Sequence, residues 1–340
     1  MTDVVVRNMR VLTDGGAVTM NGDSPVNANF TRVMFVNCSA SNGGASALSL
    51  VHPGAFHLED LTFVNCSGTP LSSFAVLQLQ TFFALTNANI STSGGFNFYT
   101  TYTTNFAPAQ FLSRGSNSTL SILSDPNKPA QWNFDGYNLA LHVESFGEAV
   151  RFNAASLTLT NGPAIPQFAI YSGGAYPIYM SIAGDITVNT AGLLTSVGGL
   201  LDLQVSGAII STNSRANYLI TPTGRATVRI SARRFLILQP FVSVLGTVAS
   251  NVTINIQEDF FIARSTAVAS NFWAFELASG FNVSITAGYL YISGFQTSNT
   301  GGGAVTLTSS SLAISANSIL FEDNIAFDYG GAISVYGTSS

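Results

Sequence analysis

Short alternating apolar runs that recur along the chain are the feature that most limits its fold. The clearest unit spans residues 314–335 and holds three such runs, separated by a polar corner and by a Gly-Gly-Ala turn that begins at Gly330. An alternation with a period of two predicts β-strands, because successive side chains of a strand point to opposite faces. Each unit therefore predicts a set of short strands joined by tight turns.

This unit repeats along most of the chain with an irregular period. The run Phe35-Val-Asn-Cys-Ser39 returns 28 residues later as Phe63-Val-Asn-Cys-Ser67. In the second half, the alternating runs recur every 23 to 31 residues around Ile182, Val205, Ile230, Ile254, Ile285 and Ile314. Repeats of this length with a two-fold alternation indicate a solenoid, in which each coil buries its apolar side chains against the next coil.

The predicted fold class is all-β, a right-handed parallel β-helix. The right hand follows from the strong preference of parallel crossover connections for that handedness. With parallel strands stacked about 4.8 Å apart, the chain predicts about 13 coils and a length of about 60 Å. We expect one domain over residues 1–340, with irregular insertions at about 91–150, where the period is lost among aromatic residues.

The amino-acid composition of the chain limits the partners and the cellular location that can be expected for it. Charged residues make up 9% of the chain and the net charge is −5, so no basic surface is expected that could bind the phosphates of nucleic acid. The longest apolar run, 235–249, is interrupted by Gln239, Pro240 and Gly246, and no transmembrane helix is expected. The first residues do not form a secretory signal, so a signal has been removed or the chain belongs to a larger protein. The Ser-, Thr-, Asn- and Gly-rich composition favours an extracellular or cell-surface location.

One family resemblance follows from the last unit. Phe321-Glu-Asp-Asn324, followed by Gly330-Gly-Ala-Ile333, resembles the paired FxxN and GGA(I/L/V) repeats of the chlamydial polymorphic membrane proteins. The second motif is kept at 15–18 and 302–305 and altered at 43–46 and 173–176, and the first is shortened to FxN at 35–37 and 63–65. The resemblance implies a β-helical surface adhesin, and it carries over no catalytic residue.

Candidate catalytic and metal-binding residues are sparse. The acid pairs Glu59-Asp60 and Glu258-Asp259 fall in similar turns but about 35 Å apart at the strand spacing. The two carboxyl groups of a glycosidase lie within about 5 to 9.5 Å of each other. The three histidines, His52, His57 and His142, lack the partners of a metal site. We therefore expect no catalysis, no metal and no cofactor.

The arginines Arg225, Arg229, Arg233 and Arg234, with Arg264 one coil further on, form the one cationic concentration in the sequence. They predict either a solvated strand face or a patch for an anionic ligand, such as acidic glycans or the carboxylates of a partner.

Cys38 and Cys66 lie one period apart and should stack in adjacent coils. Their expected Cα separation suits a disulfide, but parallel Cβ vectors at the strand spacing are slightly too far apart for an unstrained bridge. Stacked free thiols and a disulfide both remain open.

Asparagines carry two further predictions. If Phe35 and Phe63 point inward, the alternation also turns Asn37 and Asn65 inward, where their amides would form a buried asparagine ladder and carry no sugar. Sequons at Asn117, Asn251 and Asn282 are candidates for N-glycosylation.

The sequence thus predicts a non-catalytic extracellular structural or adhesive β-solenoid. Both ends of the chain read as strands without a capping segment. The predicted partners are a second copy stacked head to tail in a filament, further repeats of a longer chain, and glycans. The alternative is an enzyme that binds or cleaves polysaccharides, of the pectate-lyase-like β-helix type.

Overall fold

The computed structural model describes residues 1–12, 16–21, 26–40, 45–51, 53–68, 75–81, 87–101, 108–137, 139–162, 168–189, 192–212, 218–223, 225–238, 243–245, 250–264, 273–277, 280–297, 303–326 and 330–336. These residues form strands, turns and bends, and the described part of the chain contains no helix that could span a membrane. The chain divides into two compact units, one of residues 1–163 and 169–183 and one of residues 164–168 and 184–340.

Unit 1 is built from three parallel sheets. The strands of the first sheet are β1 (Thr2–Arg7), β4 (Val26–Val36), β7 (Pro53–Val64), β10 (Asn87–Tyr99), β12 (Thr119–Ser124), β13 (Gln131–Asp135), β15 (Ala149–Ala154), β16 (Ser156–Thr160) and β18 (Ile178–Ile182). Those of the second are β3 (Val18–Met20), β6 (Ala45–Val51), β9 (Ala75–Thr81), β11 (Ala109–Ser113), β14 (Leu141–Ser145) and β17 (Phe168–Gly174). The third sheet holds β2 (Arg10–Val11), β5 (Ser39–Ala40) and β8 (Ser67–Gly68).

The pairings in unit 1 are those of a solenoid. Each strand pairs in parallel with the strand in the same place of the next coil, for example β4 with β7 and β11 with β14. The core inside the first sheet contains a stack of phenylalanine rings, Phe35, Phe63, Phe98 and Phe134, with neighbouring ring centroids 5.3, 4.6 and 4.7 Å apart. This stack forms because residues of the same register in adjacent coils point inward at the strand spacing.

A left-handed residue bends the chain at the end of the first sheet. In each case this residue follows the last inward-facing side chain of the strand by two positions. In unit 1 these residues are Asn8, Asn37, Asn65, Gly136 and Asn161, with φ between 50° and 84°. Asparagine and glycine are the residues that adopt this conformation most readily. The recurrence of Asn in the sequence therefore marks the corner of the coil.

Unit 2 repeats the arrangement. The strands of its first sheet are β19 (Ile186–Asn189), β21 (Leu200–Thr212), β23 (Thr227–Leu238), β25 (Asn251–Ile256), β26 (Asp259–Ala263), β28 (Asn282–Ser293) and β31 (Ser311–Glu322). Those of the second are β20 (Gly192–Val197), β22 (Tyr218–Thr223), β24 (Ser243–Leu245), β27 (Phe275–Leu277), β30 (Val305–Thr308) and β33 (Ile333–Tyr336), and β29 (Gln296–Thr297) pairs with β32 (Ile325–Ala326). Ile230, Ile254 and Ile285 are in register and buried.

The all-β class and the parallel β-solenoid predicted from the sequence are confirmed, whereas the right hand, the number of coils and the single domain stay predictions. The expected irregular insertions at about 91–150 are wrong for most of that segment, which holds β10 to β15 in register with their neighbours. The period is hard to recognise there because Phe96 and Trp132 take an inward place that Leu61 and Leu157 occupy in the flanking coils. Among the described residues of this segment, those around Lys128 form a loop between β12 and β13.

Candidate functional site

The expected buried ladder of Asn37 and Asn65 is wrong. Asn37 is exposed and Asn65 is half-buried, because both adopt the left-handed conformation that ends the two-fold alternation. The amide of Asn37 donates to Asn8 Oδ1 at 3.3 Å, and Asn65 Oδ1 accepts from Thr101 N at 3.0 Å. These asparagines therefore join neighbouring coils at the corner, and burial gives no reason for the Asn37 sequon to stay unmodified.

Cys38 and Cys66 follow these corners, and both are buried, free thiols. Cys38 Sγ lies 3.9 Å from Val6 O, and Cys66 Sγ lies 3.6 Å from Phe35 O, in each case the inward residue of the preceding coil. A hydrogen bond from the Cys66 thiol lowers the pKa of Cys38 to about 7, while the same contact and burial raise the pKa of Cys66. The two thiols therefore titrate as a coupled pair.

In the last coil, Asn324 occupies the position that the two cysteines occupy in the first coils. Its Nδ2 donates to Ile292 O at 2.9 Å, and its Oδ1 accepts from Phe295 N at 3.1 Å, so that it ties the last corner to the preceding coil. Cys38 and Cys66 occupy the place of Asn324, and Asn37 and Asn65 occupy that of Asp323. The FxxN motif of the last coil thus corresponds to Phe-x-x-Cys in the first coils. The sequence motif aligned Asn37 with Asn324, and the structure corrects this alignment.

The arginine concentration is partly neutralised by acids. Arg233 Nε lies 2.9 Å and Arg234 Nε lies 2.6 Å from the two carboxylate oxygens of Glu258. These contacts hold the pKa of Glu258 below its ordinary value, with the bond from Arg233 as the largest cause. Arg264 is half-buried, and burial lowers the pKa of its guanidinium. Arg225 and Arg229 are exposed, and the anionic-ligand patch of the five arginines stays a prediction.

The three candidate glycosylation sites are all on the surface. Asn117, Asn251 and Asn282 are exposed, and their modification stays a prediction. Asn282 Nδ2 donates to Asn251 Oδ1 at 3.2 Å, and Ser311 Oγ donates to Asn282 Oδ1 at 2.7 Å. A short ladder of amide hydrogen bonds therefore lies on the outer face of unit 2.

The Glu59-Asp60 pair binds the single lysine of the chain. Lys128 Nζ lies 2.6 Å from Glu59 Oε1 and also contacts Asp60, which in turn accepts a hydrogen bond from Gly95 N at 2.8 Å. The bond from Lys128 lowers the pKa of Glu59. Burial alone would raise the pKa of Asp60, but the bonds from Lys128 and Gly95 outweigh it and lower this pKa as well. The cluster fastens the 125–129 loop to the coil that contains β7.

A row of polar side chains runs across the outer face of the second sheet of unit 1. We define this outer polar row as the in-register residues Ser49, Gln78, Gln110, His142 and Tyr171. Gln78 Nε2 donates to Gln110 Oε1 at 2.9 Å, and both side chains are buried although they face outward. His142 and Tyr171 are half-buried, with ring centroids 4.5 Å apart. The side chains of the row are therefore buried at the Ser49 end and partly exposed at the Tyr171 end.

His142 and Glu144 form the chemically most capable group of the described residues in unit 1. His142 Nε2 lies 2.9 Å from Glu144 Oε1, and Arg114 Nη2 lies 3.6 Å from Glu144 Oε2. The hydrogen bond from His142, followed by the charge of Arg114, keeps the pKa of Glu144 below its ordinary value against the effect of burial. Burial and the Glu144 charge raise the pKa of Tyr171. The group therefore places a carboxylate, a histidine ring and a tyrosine ring side by side.

Sequence reasoning missed this group because it set the histidines aside one by one. His142 and Glu144 are two residues apart on one strand, a spacing that places both side chains on the same face. The pattern His-x-Glu within an alternating run was a signal that could have found the pair. The contribution of Arg114 comes from the preceding coil and required the register of β11 with β14. His52 lies outside the described residues, as do Gly15, Gly43 and Gly302.

The two terminal coils differ from the coils inside each unit. In the first coil of unit 1 the large apolar residues Met1, Val5, Met9 and Leu12 are exposed. In the last coil of unit 2 the exposed ones are Ile319, Leu320, Ile325, Ile333 and Val335. Phe321 is only half-buried, although it occupies the same place in its coil as the fully buried Phe35. Within the described residues, the strands of these coils pair with a neighbouring coil on one side only.

The fold and these surfaces define the class of the molecule as a parallel β-solenoid. Comparison of the chain with protein-family models, with curated proteins and with solved structures finds no match.

Proposed function

We propose that this chain is a non-catalytic structural or adhesive β-solenoid of the extracellular space or cell surface, whose terminal coils pair with further coils. The further coils belong to a second copy, stacked head to tail, or to additional repeats of a longer chain. The exposed apolar side chains of the two terminal coils are the observation that carries the proposal. Large exposed apolar patches mark interaction sites, and unpaired strand edges favour the addition of further strands.

The two terminal coils have matching shapes. Asn8 in the first coil and Asp323 in the last coil both adopt the left-handed conformation, with φ of 57° and 53°. Each stands two residues after an inward side chain, Val6 in the first coil and Phe321 in the last. Stacking the last coil of one copy on the first coil of another therefore places corner on corner and inward residue on inward residue. The contact uses two different surfaces, so it does not close and extends as a filament.

Other features of the chain support the proposed extracellular or cell-surface location. The chain carries few charges, its sequons at Asn117, Asn251 and Asn282 are exposed, and its last coil resembles the repeats of a family of surface adhesins. These features favour a glycoprotein with an adhesive surface.

Two variants of the full chain test the stacking. Val6→Lys and Ile314→Lys each place a charge on a side chain that is half-buried in the single copy and becomes buried on stacking. Burying an unpaired charge is costly, so each variant should lose one of the two stacking surfaces. By light scattering, the unmodified chain should grow in mass with concentration and each variant alone should remain a monomer. An equimolar mixture of the two variants should form dimers, because each supplies the surface that the other lacks.

The control is Leu123→Lys, which changes an exposed apolar residue of an inner coil and should leave association unchanged. Circular dichroism of every variant checks that the strands remain formed. A mixture that stays monomeric while the unmodified chain associates would show that association does not use the terminal coils.

A further inference from the structure

Two large aromatic side chains are exposed next to each other in unit 1, in the turns that lead from the second sheet to the first. Phe146 is 50% and Tyr176 is 46% exposed. Tyr176 N donates to Ser145 O at 3.1 Å, which places Tyr176 beside Phe146 in the neighbouring coil. A single exposed aromatic residue needs no explanation, but two adjacent ones at the border of a polar cluster indicate a binding surface.

The turn that carries Phe146 is held rigidly by its neighbour. Phe146 N donates to Ser113 O at 2.7 Å, and Glu148 N donates to Ser118 O at 2.8 Å. A Cβ atom on Gly147 would lie 2.5 Å from Gly115 O, so the two turns pack closer than any larger residue allows. The aromatic ring is therefore presented on a fixed backbone, and a ligand that binds it loses little affinity to ordering of the protein.

Polar side chains that can form directed hydrogen bonds lie beside the aromatic pair. His142 and Glu144 occupy alternate positions of β14, so their side chains point to the same outer face, and the exposed Phe146 follows in the turn directly after that strand. Tyr171 is in register with His142, and Gly173 is in register with Glu144. Because position 173 has no side chain, Tyr171 and Glu144 pack closely over it: a Cβ there would lie 3.2 Å from the Tyr171 ring and 3.6 Å from Glu144 Cγ.

The charges of this surface favour an uncharged ligand. The positive charge of Arg114 is met by Glu144, at 3.6 Å. Glu148, which follows Phe146 in the same turn, is exposed and adds a negative charge. An anionic sugar or an acidic peptide would meet repulsion from Glu148 and find Arg114 already paired. A neutral ligand with many hydroxyl groups could instead exchange hydrogen bonds with the Arg114, Glu144 and Tyr171 side chains.

The dimensions suit several linked sugar rings. The surface runs from His142 along β14 into the turn that carries Phe146, and from Arg114 to Tyr176 it crosses three coils, about 10 Å. Pyranose rings combine an apolar C–H face, which packs on an aromatic ring, with hydroxyl groups at the rim. The two exposed rings and the polar group beside them match that combination.

We propose that the surface formed by Arg114, His142, Glu144, Phe146, Tyr171 and Tyr176 binds a neutral oligosaccharide. Phe146 and Tyr176 provide the stacking platform, and Glu144, oriented by His142 and Arg114, accepts hydrogen bonds from sugar hydroxyls. The surface would give the solenoid its adhesive contact. It does not depend on the pairing of terminal coils, because its residues lie in inner coils of unit 1.

Affinity electrophoresis in native gels tests the proposal with the full chain. The probes are soluble neutral polysaccharides (dextran, mannan, galactan, xylan and a β-glucan), with polygalacturonate as the anionic comparison. We expect at least one neutral polysaccharide to retard the chain and polygalacturonate to have no effect. Phe146→Ala and Tyr176→Ala should each raise the dissociation constant about tenfold, the loss of roughly one good contact. Glu144→Gln should weaken retardation as well, since the amide replaces one acceptor oxygen by a donor.

Tyr99→Ala is the matched control, because Tyr99 is an aromatic residue of unit 1 with similar exposure in a different strand. It should bind as the unmodified chain does. The proposal is overturned if no neutral polysaccharide retards the chain, if polygalacturonate alone does so, or if Tyr99→Ala weakens binding as much as Tyr176→Ala. None of these results would change the expected association of terminal coils, so the two proposals fail separately.

Discussion

At the scale of single residues, the left-handed corners explain most of the asparagine pattern. Asn8, Asn37 and Asn65 recur because the chain must turn at the end of each strand of the first sheet while it keeps its register with the next coil. The sequence shows the recurrence but not the conformation. Two-fold alternation therefore predicted an inward amide where the backbone in fact leaves the strand. The alternation rule holds only as far as the last extended residue.

Substitution of Asn37 tests the corner directly. Asn37→Gly should change the free energy of unfolding by only a few tenths of a kcal/mol, since glycine adopts the left-handed conformation freely. Asn37→Val should destabilise the chain by about 1–2 kcal/mol, because a side chain with a branched Cβ clashes there. Urea unfolding measures both. Asn29→Val, at an exposed strand position, is the control and should be nearly neutral.

The Lys128 cluster predicts a specific dependence of stability on pH. The pKa values of Glu59 and Asp60 are lower in the folded chain than their ordinary values. Groups shifted in this direction stabilise the fold above their unfolded pKa of about 4, and that stabilisation is lost as the pH falls through the folded pKa. Nearby charges from Arg32 and His57 act in the same direction.

We therefore expect the urea midpoint to fall between about pH 6 and pH 3, and the fall to be smaller in Lys128→Met. Arg7→Met removes one positive charge from another exposed site and should leave the acid dependence as it is. Equal acid dependence in Lys128→Met and the unmodified chain would mean that the lysine does not stabilise these two carboxylates.

At the scale of elements, side chains of the same type stack on one another in adjacent coils and hold the coils in register. Phe98 packs between Phe63 and Phe134 with both rings nearly parallel to its own, and all three are fully buried. Such a stack stabilises every coil it passes through, because each ring loses its water on both faces.

Phe98→Ala should cost about 3–5 kcal/mol of unfolding free energy, the usual range for a large buried aromatic side chain, and Phe98→Leu clearly less. The neighbouring Tyr99→Ala should stay within about 0.5 kcal/mol, because its side chain is exposed. A cost below about 1 kcal/mol for Phe98→Ala would show that the ring is not part of a packed core.

The sequence predicts elements and their parallel stacking well, and contacts between coils poorly. Alternation in the Val252–Ile256 run predicts a strand, and the spacing to Ile285 predicts its neighbour, because both are local properties of the chain. The pairing of Lys128 with Glu59 spans 69 residues, and Arg114 reaches Glu144 from the preceding coil. Such contacts depend on the register of several coils, which an irregular period conceals. The candidate binding surface of unit 1 could therefore not be predicted from the sequence, apart from the His142–Glu144 pair that the His-x-Glu spacing indicates.

At the scale of the whole molecule, the central claim is that the terminal coils pair with further coils. Inner coils bury their inward side chains between two neighbours, whereas Met9 at one end, in the place of the buried Cys38, and Val335 at the other, in register with the buried Leu307, are 44% and 53% exposed. Exposed apolar surface of this kind is stabilised when another coil covers it. A second copy supplies such a coil with the same corner geometry.

Negative-stain electron microscopy of the full chain over a range of concentrations tests this claim most directly. The account predicts unbranched particles that lengthen along one axis as the concentration rises, keep a constant width, and shorten to dimers in the equimolar mixture of Val6→Lys and Ile314→Lys. Particles of the length of a single molecule at every concentration, with no elongated form, would contradict it.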